Sequence, residues 1–337
     1  MTVQARTAQI DTAHSDLDPL TDESITEQLE AFRGELRGYC YRMLAAPQDA
    51  DDAVQNAMIR AWRGASSFDG RSSLRTWLYR IATNVCLDEI SARKRRALPV
   101  DLEAEASLPV LASLGQPQPA AMFVEPMLDS MVADPADIVV SRESIRLAFI
   151  AALQHLPASQ RAVLILRDVL AWRAAEVAEL LEISVAAANS QLQRARETMK
   201  AVKDGSKGAV PNASRTVEDE VVARYVEAFE RYNMEAIATM LAEDAMMSMP
   251  PFRLYLKGRQ NMVAWMSGPG FECEGSKTIR VDVNGAPGFA QYRIDPAGGF
   301  TPWGVHALVV RDGAVAEETV FLGPEIFASL GLPDHLN

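Results

Sequence analysis

Cysteine is scarce in this chain of 337 residues: only Cys40, Cys86 and Cys273 occur, an odd number at wide spacing. Three such residues give neither a disulfide framework nor a cysteine metal site, so a reduced, cytoplasmic protein is expected. Long hydrophobic runs are also missing, because the longest purely apolar stretch, Leu147–Leu153, is far shorter than the ~20 residues that cross a bilayer. The first 25 residues lack the basic start and apolar core of a signal peptide. We therefore expect no membrane span, no cofactor and no metal site.

Basic residues are outnumbered, with 33 Lys and Arg against 45 Asp and Glu, for a net charge of −12. This acidity would argue against nucleic-acid binding, but the charge is unevenly distributed. Residues 30–100 carry +4 and residues 141–203 carry +3, whereas residues 101–140 carry −7 and residues 216–337 carry −8. Two basic blocks separated by an acidic segment remain compatible with contacts to nucleic acid.

Glycine and proline mark the domain boundaries. Residues 141–203 contain no glycine and one proline, while residues 216–337 hold 12 of the 19 glycines and 8 of the 18 prolines. The stretch 99–137 has six prolines and seven acids but no Lys or Arg, which predicts a flexible linker. The predicted units are a disordered N-terminus (1–20), a helical domain (21–98), an acidic linker (99–140), a second helical domain (141–203), a short linker (204–215) and a C-terminal domain (216–337).

Apolar residues recur at helical spacing in both basic blocks. One long helix is predicted to begin at a capping box formed by Ser24 and Glu27. A second helix, starting near Pro47, is predicted to bury a face that includes Trp62, and Ser72 or Ser73 is predicted to cap a third helix. Two helical bundles explain this periodicity without any function, so functional residues must lie on the other faces.

Residues 174–199 have the pattern of a helix-turn-helix. Val177 and Leu181 face inward on the first helix, and Ser184 suits the N-cap of the second. The second helix of this motif enters the DNA major groove, where Asn and Gln pair with adenine and Arg with guanine or a phosphate. A helical hairpin with an inert polar face has the same pattern, and this alternative stays open. The outward-facing residues are Asn189, Ser190, Gln193, Arg194 and Arg196.

Two helices of the first block have exposed polar faces of different character. On the third helix, Thr76, Arg80 and Asn84 form a polar stripe beside aromatic residues, which suits strand-separated DNA. The second helix has an acidic face, which suits a basic protein partner better than DNA. The residues of this acidic face are Asp49, Asp51, Asp52 and Gln55.

Three segments occur in a characteristic order: Asp49-Ala-Asp-Asp-Ala-Val-Gln-Asn56, Arg75-Thr-Trp-Leu-Tyr-Arg-Ile-Ala-Thr-Asn84 and Ser190-Gln-Leu-Gln-Arg-Ala-Arg196. Together they resemble the extracytoplasmic-function sigma factors of the sigma-70 family, over about residues 20–203. Glu125-Pro126 and the long linker resemble the subgroup that carries an extra C-terminal domain. The resemblance implies a non-enzymatic subunit that binds core RNA polymerase and directs promoter-specific initiation, and it leaves open whether an anti-sigma protein binds the chain.

The resemblance also implies roles for individual residues. The acidic face would bind the clamp helices of the largest polymerase subunit, and the loop 66–73 would lie near a base extruded from the minus-ten element. The linker would pass through the basic channel for template and RNA, either as an RNA-like polyanion or merely as a soluble connection. The implied DNA contacts are Arg75, Arg80 and Asn84 at the minus-ten element, and Asn189, Ser190, Gln193 and Arg194 at the minus-thirty-five element.

Asn189 departs from the family pattern, because this position more often holds Lys or Arg. The exchange replaces a cation that would contact phosphate with a side chain that can pair with adenine. A family-average promoter sequence is therefore not expected to apply unchanged.

The C-terminal domain is predicted to be α+β. Two short amphipathic helices precede strand-like segments, and Asp312-Gly313 is a hairpin signal between two of them. The segments Tyr225-Val-Glu-Ala-Phe229 and Leu241-Ala-Glu-Asp244 resemble the SnoaL-like, nuclear-transport-factor-like cone, whose sheet curls around a pocket. The whole chain is thus predicted to have two all-α domains followed by an α+β SnoaL-like domain that regulates them in cis.

A pocket in this domain would suit a small apolar ligand, although the same residues could form an ordinary core. Two other functions stay open: a DNA-binding module fused to a small-molecule-converting SnoaL-like enzyme that uses His306 or Asp295 as its base, and a stand-alone ligand-sensing helix-turn-helix regulator. The predicted pocket residues are Met249, Trp265, Tyr292, Trp303 and His306.

Overall fold

A computed structural model describes residues 22–68, 70–92, 95–103, 105–131, 144–205, 208 and 214–337. The predicted disordered segment 1–20 and most of the predicted linker 204–215 lie outside the described residues. In the part of the chain that the structure describes, no helix is both long enough and apolar enough to span a bilayer.

The first helical domain comprises α1 (Asp22–Glu30), α2 (Arg33–Leu44), α3 (Pro47–Gly64) and α4 (Leu74–Ser91). The predicted first helix is in fact two helices, because the chain turns at residues 31–32 before α2 begins. Proline at the first position of α3 fits a site where no backbone N–H is needed. Ser73 caps α4, since its hydroxyl accepts the Thr76 N–H at 3.0 Å.

The buried face of α3 is shifted around the helix from the predicted one. Small residues such as Ala50, Ala57 and Ala61 are fully buried and let α2 and α4 approach closely. The helix is thereby rotated so that Trp62 is 53% exposed, and the prediction that it is buried is wrong.

The linker is ordered over residues 105–131, and the prediction of flexibility there is wrong. It contains α5 (Pro99–Leu102) at its start and short 3-10 turns at Leu111–Leu114, Ala120–Met122 and Asp129–Met131. Phe123, Val124 and Met127 are buried. Burial of these apolar side chains stabilises the folded linker. The high content of proline and acidic residues gave no indication of this.

The second helical domain contains α6 (Leu147–Leu153), α7 (Ala158–Leu164), a π-helical turn (Ile165–Val169), α8 (Ala174–Leu180) and α9 (Val185–Gly205). Helices α8 and α9 form the predicted helix-turn-helix. Ser184 caps α9, with its hydroxyl accepting the Ala187 N–H at 3.1 Å. Ala188, Leu192 and Ala195 are the buried face of α9, as the sequence predicts.

The C-terminal domain has a six-stranded sheet with strand order β2-β1-β6-β5-β4-β3, in which only β1 and β6 are parallel. Its α+β class confirms the prediction. Helices α10 to α12 contribute to the apolar core on one face of the sheet, and α13 packs on the other. The elements are α10 (Arg215–Glu230), α11 (Met234–Met240), β1 (Leu241–Ser248), β2 (Tyr255–Lys257), α12 (Arg259–Ser267), β3 (Lys277–Val283), β4 (Ala286–Ile294), β5 (Phe300–Arg311), β6 (Ala314–Leu322) and α13 (Pro324–Ser329).

Two hairpins of this sheet have two-residue turns with both residues at positive φ. Asp312-Gly313 joins β5 to β6, with φ values of 53° and 75°, as predicted. Asn284-Gly285 joins β3 to β4, with φ values of 52° and 70°. The second turn was not predicted, although Asn-Gly is an equally strong hairpin signal.

The Asn284 turn docks the C-terminal domain on the rest of the chain. Its buried amide accepts the Met127 N–H at 3.0 Å and donates to the Tyr41 hydroxyl at 2.7 Å and to the Ile145 carbonyl at 2.6 Å. One side chain therefore connects the first helical domain, the linker and the start of the second helical domain. A single apolar core also runs through both helical domains.

Candidate nucleic-acid interface and C-terminal cavity

The outer face of α9 is exposed at its four predicted DNA-contact residues, which are Asn189, Ser190, Gln193 and Arg194. Arg194 donates to the Ser190 hydroxyl at 2.7 Å, and Gln193 donates to Glu197 at 3.1 Å. Arg196 instead makes two hydrogen bonds to Asp168, at 2.9 and 2.7 Å, and this pairing raises the pKa of Arg196. The face therefore presents exposed hydrogen-bonding groups of the kinds that can pair with base edges.

The polar stripe of α4 is partly covered by the second helical domain. Arg75 donates to the Glu35 carboxylate at 2.8 Å, and its guanidinium lies 5.0 Å from the centre of the Trp172 ring. Arg80 lies 3.8 Å from the Glu179 carboxylate of α8. Asn84 is exposed. Two of the three predicted minus-ten residues are thus engaged within the chain.

Trp172 is the centre of this covering contact. Its ring is nearly buried and lies 4.9 Å from the Tyr79 ring on α4. Contacts with the second helical domain leave the Arg75 and Arg80 side chains 41% and 29% exposed, so both are partly covered. The structure is therefore a closed arrangement of the two helical domains.

The acidic face of α3 is smaller than predicted. Asp52 and Gln55 are exposed, and Asp51 is partly exposed and bonds to Arg37. Asp49 points instead toward the linker, where its Oδ2 lies 2.6 Å from Nη2 of Arg96. The prediction that Asp49 belongs to an exposed face is wrong for this arrangement, because the buried Arg96 guanidinium requires carboxylate partners.

Two large apolar residues continue the exposed part of this face. Ile59 and Trp62 are 41% and 53% exposed, and they follow Asp52 and Gln55 at spacings of three or four residues. We call the row Asp52, Gln55, Ile59 and Trp62 the α3 stripe. Charged residues leading into exposed aromatic and aliphatic side chains are typical of a protein-binding surface.

A cavity of about 310 Å³ opens in the C-terminal domain. Its wall is mainly aromatic and methionine side chains, as in sites for small apolar molecules. Four of the five predicted pocket residues line it, and two leucines come from the linker. The wall includes Phe229, Met247, Met249, Phe252, Trp265, Trp303, His306, Leu111 and Leu114.

Tyr292 does not line the cavity, and its prediction as a pocket residue is wrong. Side chains alternate along β4, so Gln291 and Arg293 face the cavity while Tyr292 points to the opposite face of the sheet. There its ring packs 5.1 Å from that of Phe327, and its hydroxyl donates to the Pro333 carbonyl at 3.0 Å.

The floor of the cavity is a buried hydrogen-bond network around His306. Its Nδ1 lies 2.7 Å from Oε1 of Glu318, and its Nε2 lies 3.0 Å from Oε1 of Gln291. The Tyr225 hydroxyl donates to the second Glu318 oxygen at 2.9 Å, and burial beside this carboxylate raises the pKa of Tyr225. Three residues of this network were not predicted as pocket residues from the sequence: Glu318, Gln291 and Tyr225. The signal for Glu318 was the pair of acids, Glu317 and Glu318, in the middle of the largely apolar strand β6.

Donors and acceptors in this network determine where its protons lie. The Ser276 hydroxyl donates to the Cys273 carbonyl at 2.7 Å, so it accepts an N–H from Gln291 at 2.9 Å. This orients the Gln291 oxygen toward Nε2 of His306, which must donate. One proton then lies between Nδ1 and Glu318, so the His306–Glu318 pair has no net charge.

Asp295, the other candidate base of the enzyme alternative, lies in the turn between β4 and β5 and not on the cavity floor. It follows the last residue of β4, accepts the Ala297 N–H at 2.8 Å within the turn to β5, and does not line the cavity. His306 and Asp295 therefore do not converge on one site.

Comparison with known families identifies three regions. Residues 29–96 match Sigma-70 region 2, residues 146–199 match Sigma-70 region 4, and residues 222–318 match the SnoaL-like domain. The helical domains and the sheet domain described above coincide with these matches.

Similar proteins extend over most of the chain. The ECF RNA polymerase sigma factor SigG of Mycobacterium tuberculosis is 38% identical over 309 residues, which cover 91% of this chain and 83% of SigG. SigW of Bacillus subtilis is 29% identical over 178 residues, covering 53% of this chain and 88% of SigW. The crystal structure of the sigma factor SigJ of M. tuberculosis shares the fold, with a TM-score of 0.60 and 23% identity over 91% of this chain and 99% of SigJ. The chain therefore belongs to the extracytoplasmic-function sigma factors of the sigma-70 family, which are transcription initiation factors and not enzymes.

Proposed function

We propose that this sigma factor binds core RNA polymerase through the α3 stripe and contacts promoter DNA through α4 and α9, with the C-terminal domain controlling access in cis. The observation that carries this proposal is that the α9 face is exposed while Arg75 and Arg80 of α4 are partly covered within the same chain. The proposed functional units are residues 21–98, 141–203 and 216–337, joined by the linkers 99–140 and 204–215. Action on RNA polymerase would place the protein in the cytoplasm.

The α3 stripe is proposed to contact the clamp helices of the largest polymerase subunit. Asp52 and Gln55 supply charge and hydrogen bonding, and Trp62 supplies the kind of exposed aromatic anchor that dominates binding energy in many interfaces. Asp51 is proposed to contribute from the edge of the stripe, and Asp49 only if Arg96 releases it.

Substitution of Asp52 by lysine is expected to weaken binding to core polymerase about tenfold or more, because it places a cation opposite a basic partner. Trp62→Ala is expected to have an effect of similar size through loss of apolar contact. The measurement is the equilibrium affinity of full-length protein for bacterial core polymerase, checked by co-elution on size exclusion. Glu235→Lys changes the net charge equally on an exposed position of α11 and should bind like the parent protein. Equal losses in all three variants, or no binding by the parent, would contradict the proposal.

The outer face of α9 is proposed to contact the minus-thirty-five element. Asn189, Gln193 and Arg194 are exposed and carry groups that can pair with base edges, while Ser190 orients Arg194 by accepting its hydrogen bond. Arg75, Arg80 and Asn84 are proposed to contact the melted minus-ten element once α4 is uncovered, with the loop 66–73 beside an extruded base.

Arg194→Ala is expected to weaken binding of the holoenzyme to its promoter by about 1–3 kcal/mol if the guanidinium contacts a base. Binding to a promoter with a scrambled upstream element should change much less. Lys200→Ala removes an exposed cation farther along α9 and should weaken binding to both DNAs alike. Affinities measured on both DNAs over a salt series separate the two roles. A uniform loss with a shallower salt slope would assign Arg194 to a phosphate.

The C-terminal domain is proposed to stabilise the closed arrangement. Its Asn284 turn contacts Tyr41, Met127 and Ile145, and its Glu218 carboxylate lies 3.1 Å from Arg146 at the start of the second helical domain. The cavity is proposed to hold a small apolar ligand that regulates this contact.

A further inference from the structure

The cavity floor offers acceptors to a ligand rather than donors. Both ring nitrogens of His306 face partners within the network, and the Tyr225 hydroxyl donates to Glu318. The Gln291 amide donates to Ser276 and is hydrogen-bonded to the Cys273 thiol. The Glu318 carboxylate and the Gln291 amide oxygen retain lone pairs beyond these bonds. A ligand group that reaches the floor must therefore bring its own hydrogen, as a hydroxyl or an N–H does.

The cavity also disfavours a negatively charged ligand. The His306–Glu318 pair has no net charge, and Glu318 is only 1% exposed, so no cation is available on the floor. Arg293 at the cavity wall is already engaged: it lies 2.5 Å from the Glu272 carboxylate, and its guanidinium stacks 4.1 Å from the Trp303 ring. An anion would enter without compensation, which is costly in an apolar site. An uncharged molecule is favoured.

Part of the cavity wall comes from outside the C-terminal domain. Leu111 and Leu114 belong to a 3-10 turn of the linker between the two sigma regions, and both line the cavity. This turn is held at both ends by backbone bonds to the C-terminal domain: Ser107 N–H to the Tyr255 carbonyl and Gln118 N–H to the Pro251 carbonyl, each at 2.8 Å. A ligand in the cavity would touch these leucines only while the linker is seated.

We infer that the cavity binds an uncharged apolar molecule of one or two rings that carries a hydroxyl donor, and that linker residues 107–118 close over it. Such a ligand gains contacts with Leu114 only in the seated state, so its binding shifts the chain toward the closed arrangement. The regulatory consequence rests on the proposed function, whereas the binding site itself does not.

The first test is calorimetric titration of the full-length protein with three probes of one shape: 2-naphthol, 2-methoxynaphthalene and 2-naphthoate. We expect 2-naphthol to bind at least about tenfold more tightly than the other two, because it alone is an uncharged hydrogen-bond donor. Absence of saturable 2-naphthol binding would contradict the inference that the cavity is a ligand-binding site. Equal or tighter binding of either competitor would overturn the assigned chemistry.

The second test measures closure by the linker. Leu114→Ser should weaken 2-naphthol binding about tenfold by removing a buried apolar contact, whereas Leu108→Ser, on the same linker but 70% exposed and outside the cavity, should not.

Proteolysis of the linker gives an independent measure of its closure. The linker has no Lys or Arg between residues 99 and 137, but glutamyl endopeptidase can cleave after Glu105. We expect 2-naphthol to slow this cleavage in the parent chain and much less in Leu114→Ser. If 2-naphthol bound without changing the rate of linker cleavage, the inference that the linker closes over the ligand would be wrong. Neither readout involves polymerase, so failure here is separable from failure of the proposed function.

Discussion

Replacing Arg96 with alanine is expected to lower the free energy of unfolding by about 3–5 kcal/mol, because the change removes one partner from a buried ion-pair cluster. The Arg96 side chain is 7% exposed and lies 2.6 Å from the Asp49 carboxylate and 3.1 Å from that of Glu125. It also donates to the carbonyls of Ala120 and Phe123 at 3.0 and 2.8 Å. Without the guanidinium, two carboxylates and two carbonyls would lose their donor at once. Denaturant unfolding of the full-length chain measures the loss.

A matched control is Arg33→Ala, which breaks an exposed ion pair with Glu30 and should change the stability by less than about 1 kcal/mol. If Arg96→Ala were no more destabilising than this control, the cluster would contribute nothing to the fold.

The loss in Arg96→Ala is also expected to depend on pH. Burial raises the pKa of Glu125, and the nearby Arg96 opposes this rise. A carboxyl with a raised pKa in the folded state favours folding when it is protonated, so its contribution is full below the ordinary Glu pKa and is lost as the pH rises through the raised value. Removing Arg96 strengthens this effect. The stability difference between the parent and Arg96→Ala should therefore shrink as the pH falls toward the ordinary Glu pKa.

The sequence predicts those features that depend on local pattern. The helix-turn-helix follows from helical periodicity and the Ser184 cap, and the β5–β6 hairpin follows from Asp312-Gly313. The β3–β4 hairpin could have been predicted in the same way, since Asn284-Gly285 carries the same signal. Strict alternation along β4 would likewise have put Tyr292 on the face opposite Gln291.

The remaining features depend on contacts between distant residues. Asp49 is a surface residue by helical position, and only the approach of Arg96 from the linker draws it inward. The sequence pattern predicts Arg75 and Arg80 as DNA contacts. Their partners in the closed arrangement, Glu35 and Glu179, come from other helices. No periodicity or composition argument contains such pairings. The sequence thus predicts on which helix face these residues lie, but not which of them the rest of the chain covers.

The contact between the two helical domains includes two buried arginines as well as the shared apolar core. Arg42 is buried and donates to the carbonyl and the hydroxyl of Ser144 at 3.2 and 2.8 Å, and burial lowers its pKa to about 10. Arg161 donates to the Gln154 side chain at 2.7 Å and to the Met43 carbonyl, and burial lowers its pKa to about 10 as well. Both remain cationic at neutral pH with uncharged oxygens as their hydrogen-bond acceptors. Burying these groups costs desolvation energy, which offsets part of the stability that the shared apolar core gives the closed arrangement.

Asn284→Gly is expected to shift the equilibrium from the closed toward the open arrangement of the helical domains. Glycine keeps the positive φ of the turn but removes the amide that bonds to Met127, Tyr41 and Ile145. Three lost hydrogen bonds correspond to about 2–4 kcal/mol, a shift of more than tenfold in the equilibrium between closed and open chains. An opened chain should have a larger radius of gyration in solution scattering. Because the closed arrangement partly covers Arg75 and Arg80, the variant should also give more promoter-dependent transcription with core polymerase.

Asp312→Gly provides the control for this experiment, since it makes the same kind of change in the other two-residue turn with positive φ, which joins β5 to β6. It should leave both the radius of gyration and the transcript yield at the parent values. An Asn284→Gly chain that stays compact would show that the turn does not hold the domains together. A chain that opens without a gain in transcription would separate the two steps: the C-terminal domain would then hold the arrangement closed, but uncovering α4 would not be what limits initiation.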